Sequence, residues 1–173
     1  LRGVGAIGVA EGGPIAAAHL DSASPVLRRE ALLALAALPS TGRWRSRVID
    51  NVGHPDPWIR SAAWPALVRI DAEDVGIVLS TIGTDSDAGV RRAVAGALAE
   101  SLGERAAPFL LPMLKDDPRV VPAVLSALVR ARGQDAAPTL LDHLQNPDMG
   151  IRAAVVEGLA SLEKGAGRAF TDA

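Results

Sequence analysis

The sequence contains no cysteine and no tyrosine, and only two phenylalanines and three tryptophans among 173 residues. Without cysteine there is no disulfide, no thiolate nucleophile and no sulfur-ligated metal. Lysine occurs only at Lys115 and Lys164, so arginine carries nearly all the positive charge. The formal net charge is −2, which argues against a general binder of polyanions. No apolar run reaches the length of a membrane span, and the opening LRGVGAIGVAEGG lacks the long apolar segment of a signal peptide. With its many alanines the composition is that of a high-GC bacterial genome, and the expected setting is the cytoplasm. No membrane association and no cofactor are expected.

Reactive constellations are also missing. No serine stands in a nucleophile elbow, and no glycine-rich loop follows a strand. The three histidines do not converge. His19 and His143 occupy one repeat position four copies apart, roughly 40 Å at about 10 Å per helical layer. His54 falls in a turn. No metal site is expected, because structural zinc requires a tight ligand cluster. Glu73 and Asp74 open a helix, where negative charge suits the helix dipole. The chain is therefore read as a non-enzyme.

What the sequence does contain is a repeat. Arg28, Arg60, Arg91 and Arg152 recur at spacings of 32, 31 and 61 residues. A fifth copy, without its arginine, centres on Val121. After each of these positions small and apolar residues return in order: Ala31, Ala34, Leu35; Ala63, Ala66, Leu67; Val94, Ala97, Leu98; Val124, Ala127, Leu128; Val155, Gly158, Leu159. Steps of three and four place them on one helical face, with small residues admitting a close neighbour. A second helix follows in each unit, opened in two copies by GERAAPFLLPML and GQDAAPTLLDHL. Gly103 and Gly133 suit helix C-caps, and Pro108 and Pro138 suit a first helical turn. An apolar stripe is expected on the second helices from Leu20, Val52, Ile82, Leu114 and Leu144, together with the positions three and four residues earlier. Those include Leu110, Leu111, Leu140 and Leu141.

Between units, HPDPWIR, DSDAGVR and NPDMGIR place an aspartate four residues before the arginine. The pairs are Asp56 and Arg60, Asp87 and Arg91, Asp148 and Arg152. The aspartates suit helix N-caps. The arginines are expected to reach an aspartate of a neighbouring repeat, forming a structural ladder.

A period near 31 residues with helical patterning is the mark of an α-solenoid. The D-x-x-x-R element, the A-x-x-A-L core and the G-x-x-x-A-P-x-L second helix resemble the HEAT repeat, specifically the short bacterial HEAT-like form of the phycobilisome-lyase type. The resemblance covers nearly the whole chain. It implies an all-α, right-handed α-solenoid of stacked antiparallel helix pairs. The expected organisation is one solenoid segment over 1–173, with a partial repeat at 1–20, repeats at about 21–52, 53–82, 83–114 and 115–144, and a partial repeat at 145–173. LRGVGAI aligns with VEGLASL, so the chain opens inside a first helix, and GAGRAFTDA is expected to enter a second. The segment is read as a fragment of a longer array, with apolar ends capable of end-to-end self-association.

The resemblance implies a protein-interaction scaffold, or the interaction segment of a larger protein, binding a protein or peptide on the concave face. Second helices line that face in such solenoids. Helical geometry puts two columns there, one with Asn51, Thr81, Met113 and His143, the other with Arg47, Ile77 and Phe109. A mixed, partly apolar face of this kind suits a partner groove. The second of these columns also fits a half-buried position between adjacent repeats. An alternative role is as an accessory segment of an enzyme, of the bilin-lyase or peptidyl-prolyl-isomerase type. A third is nucleic-acid binding through the GRWRSR cluster, where Arg43, Trp44, Arg45 and Arg47 alternate. The net negative charge argues against it.

Overall fold

The computed structural model describes residues 12–38, 42–70 and 85–171, except the side chains of 165–171. The described residues are helical with turns and contain no strand. The architecture is the all-α one expected, of helix pairs joined by short linkers. Two compact units divide the chain, Leu1–Ala97 and Leu98–Ala173.

The first unit contains α1 (Gly12–Ala17), α2 (Pro25–Ala37), α3 (Arg45–Val52), α4 (Pro57–Ile70) and most of α5 (Ala88–Leu102). A single 3₁₀ turn, Gly42–Trp44, leads into α3. The first helices start where a capping residue meets a good first-turn residue. Ser24 caps α2, with its hydroxyl accepting from Leu27 N and Pro25 at the first helical position. Asp56 accepts from Trp58 N ahead of α4, again with proline first. Asp87 accepts from Gly89 N and Val90 N at the start of α5. These bonds satisfy amides that a helix start leaves without partners. α2 packs on α1 and α4, and α3 packs on α4. Their shared core holds Leu20, Ala31, Leu32, Leu35, Val48, Ile59, Ala63 and Ala66, all fully buried. Each enclosed leucine or isoleucine contributes about 2 kcal/mol through loss of apolar surface.

The second unit holds the end of α5, α6 (Ala107–Leu110), α7 (Val121–Arg132), α8 (Ala137–Asp142) and α9 (Met149–Thr171). Gly103 and Gly133 both have φ of 54°, a conformation costly for any residue with a Cβ. There the chain leaves a first helix and enters a 3₁₀ turn, Gly103–Ala106 or Gly133–Ala136. α7 packs on α6, on its flanking 3₁₀ segments and on α9, and α8 packs on α9. At Gly158 α9 lies close against its neighbours. A Cβ there would stand 2.3 Å from Leu140 Cδ2 and 3.2 Å from Val129 Cγ2.

Two expectations need correction. α9 runs uninterrupted from Met149 to Thr171, so GAGRAFTDA does not enter a second helix. No proline stands in that stretch to break it. The stripe on the second helices is also narrower than expected. Ala16, Val48, Leu110 and Leu140 are fully buried, whereas Leu111, Leu141 and Leu144 are 40%, 54% and 40% exposed. The second helix of the 103–115 segment is 3₁₀, α and then 3₁₀ again. At three residues per turn the faces rotate relative to the 3.6-residue wheel that sorted these positions.

Candidate functional site

The repeated arginines are built into the linkers. Arg28 Nε donates to Ser22 O at 3.0 Å, Arg60 Nη1 to His54 O at 2.8 Å and Arg152 Nη1 to Asn146 O at 2.8 Å. Arg91 Nη1 donates to Asp85 O. Each bond closes on the residue six before the arginine. The side chain of that same residue accepts the backbone N–H two residues on: Ser24 N on Ser22, Asp56 N on His54, Asp87 N on Asp85 and Asp148 N on Asn146. The residue four before the arginine then caps the incoming helix. Each of these four linkers is thus pinned twice, by a guanidinium of the following helix and by its own polar side chain.

This arrangement redistributes the expected ladder. Asp56, Asp87 and Asp148 act as caps, with Asp148 accepting from Ile151 N. The inter-repeat bridge of Arg60 goes to Asp85 instead. Nε and Nη2 form a two-pronged contact with Oδ2 and Oδ1 at 2.8 and 3.0 Å. The Asp85 carboxyl is held below the ordinary carboxylate range, first by the hydrogen bond from Arg60, with partial burial opposing it. Arg60 is correspondingly raised by that hydrogen bond. In the divergent copy the guanidinium comes from within the linker, Arg119 gripping Asp117 at 2.7 and 2.9 Å. Sequence inspection missed Asp85. The signal was there, because its column reads Ser22, His54, Asp85 and Asn146, polar in every arginine-bearing copy.

The two outward columns divide. Asn51 is only 2% exposed and so does not face a partner. Its amide donates to Arg47 O and to Leu20 O in the preceding linker, which draws it into the interface between helices. Arg47, part-exposed, forms an ion pair with Asp21. Phe109, Met113 and His143 are part-exposed on the second helices of the second unit, and His143 Nδ1 lies 3.0 Å from Thr139 O. Ile77 and Thr81 lie outside the described residues. The surface the columns did not anticipate is Leu111, Leu141 and Leu144, on the same two second-helix segments.

The GRWRSR cluster is largely self-engaged. The Arg43 guanidinium lies 4.7 Å from the centre of the Trp44 ring, and Trp44 Nε1 lies 3.3 Å from where a Cβ on Gly13 would stand. With Arg47 held by Asp21, its arginines are already engaged. Among the described residues no group of three or more histidine, aspartate or glutamate side chains could hold a metal ion. No described helix is long and apolar enough to cross a membrane.

Residues 14–99 match the family model for HEAT repeats. A comparison with curated proteins gives no match.

Proposed function

Because the chain is a HEAT-repeat protein, we propose that it is a non-catalytic interaction scaffold, holding a protein or peptide partner on its second-helix face. HEAT repeats generally mediate contacts between proteins and are typically not catalytic. The observation carrying the proposal is the exposure of Leu111, Leu141 and Leu144 on successive second-helix segments. Leu111 and Leu141 occupy the same repeat position, thirty residues apart. Phe109, Met113 and His143 lie part-exposed on those segments and supply aromatic, flexible apolar and polar contact chemistry. Arg47 belongs to the proposed partner surface only if a ligand displaces Asp21.

The test is affinity capture from a bacterial lysate with the whole chain and with the Leu111→Asp/Leu141→Asp variant. A protein retained by the wild-type chain and lost by a variant of unchanged helix content supports this face. Equal retention of every captured protein removes it.

A further inference from the structure

A second surface lies in the first unit, away from the second helices. It is built by the first turns of successive first helices. Arg29, Ser61 and Arg92 each follow their repeat's arginine by one residue and form a column of their own. Trp58 and Gly89 each precede it by two. Where the two columns meet there is a hollow of about 420 Å³, lined by Arg29, Trp58, Ser61, Asp87, Gly89 and Arg92 among others. Gly89 contributes no side chain, and the Ser61 hydroxyl is turned onto Trp58 O at 2.8 Å. The small residues in the middle of each column leave the space.

The walls are cationic and aromatic. The Arg29 guanidinium lies over the Trp58 ring, 4.9 Å from its centre, which fixes its position. Its Nε is buried without a hydrogen-bond partner, and the Glu30 carboxylate stands at 4.0 Å, the outer limit of an ion pair. Arg92 is exposed and has no ion pair among the described residues. Trp58 is 44% exposed, a large apolar surface left in water. The Asp87 carboxylate is turned to the backbone amides of α5 through Oδ1, so its charge is engaged locally.

We propose that this hollow binds a carboxylate side chain of an acidic peptide, the carboxylate between Arg29 and Arg92 and its aliphatic stem on Trp58. Arginine presents paired donors that match a carboxylate, and an aromatic wall suits the methylenes of glutamate. A multiply charged phosphate chain fits less well, because Asp87 lines the same hollow and the whole chain is net negative.

The probe is a fluorescein-labelled Gly-Glu-Glu-Glu-Glu-Gly peptide, titrated into the full chain by anisotropy at low salt, with Trp58 emission as a second readout. Saturable binding is expected, together with a Trp58 response. The all-glutamine peptide should bind at least about tenfold more weakly, the scale of a lost charged hydrogen bond. Arg92→Gln, at an exposed position, should weaken binding by about tenfold or more without a change in helix content, and Val156→Gln, at an exposed position of α9, should have no effect. No saturable binding by the wild-type chain, or equal binding of the glutamine peptide or by Arg92→Gln, would overturn the proposal. So would tighter binding of a single-stranded oligonucleotide than of the acidic peptide.

Discussion

Arg60 and Asp85 form a two-pronged ion pair across 25 residues of sequence, with side chains only 14% and 6% exposed. The same guanidinium also holds His54 O and Pro55 O. One side chain therefore ties the linker before α4 to the linker before α5. Removing one partner of this part-buried pair leaves the other charge without its hydrogen bonds and costs about 1–3 kcal/mol. Arg60→Ala and Asp85→Ala should each lower the urea midpoint substantially. The double variant should lose less than the sum of the two, which is the mark of direct coupling. Arg60→Lys should recover only part of the loss, because an ammonium cannot span both oxygens and two carbonyls at once. Additive losses in the double variant would refute the pairing.

The same pair gives the fold a pH dependence of defined sign. Asp85 is depressed chiefly by the Arg60 hydrogen bond, so the folded chain favours its ionised form. Its contribution is present above the unfolded carboxylate value of about 3.9, and it is lost as pH falls through the lower folded value. Melting temperature should decline on acidification below about pH 4. In Asp85→Asn the decline over that window should be shallower, from a lower starting stability. Parallel acid limbs for the two proteins would show that Asp85 is not linked to folding.

Much of the fold was legible because periodic burial leaves its mark at every copy. Ala31, Ala63 and Val94 were placed in the core by spacing alone, and all are fully buried. The caps at Asp56, Asp87 and Asp148 could be read for the same reason, since a cap and its amide lie within a few residues. The Arg60 partner was less accessible, because it stands in the next linker, 25 residues away, in a column that is polar in every arginine-bearing copy but acidic only at Asp85. The partner surface was harder still. Its positions were sorted on a uniform α-helical wheel, and the second helices include 3₁₀ turns that shift the faces. Asn51 was placed outward by that wheel, yet its amide reaches back to Leu20 O.

Asn51 offers a separate test of that correction. Its amide bonds two carbonyls, while its Oδ1 is buried without a hydrogen-bond partner. Asn51→Asp keeps the shape and replaces the donor with a second acceptor facing those carbonyls. It should cost about 2 kcal/mol or more, the penalty for buried acceptors without donors. A thermal melt matching the wild type at pH 7 would return Asn51 to the surface.

Gly158 tests the closeness of α9. An alanine methyl would sit 2.3 Å from Leu140 Cδ2, and Leu140 is itself fully buried. Helix propensity alone would favour alanine by about 1 kcal/mol. Overpacking costs about 1–3 kcal/mol and should outweigh it. Gly158→Ala is therefore expected to be destabilising, and Gly158→Ala with Leu140→Val partly restored. A stabilised Gly158→Ala chain would mean that propensity wins and that the approach is loose.

Leu140 and Leu141 are adjacent in sequence and opposite in environment, the first fully enclosed and the second 54% exposed. Leu140→Ala should cost about 2–5 kcal/mol, because it removes contacts and leaves a cavity between α8, α7 and α9. Leu141→Ala should stay within about 0.5 kcal/mol, as surface substitutions do. A leucine that adds nothing to folding while exposing apolar surface is the kind of residue an interaction face displays. Both variants can be compared in one series of urea melts. Similar losses for the two would place Leu141 in the core stripe and remove the observation on which the proposed scaffold face rests.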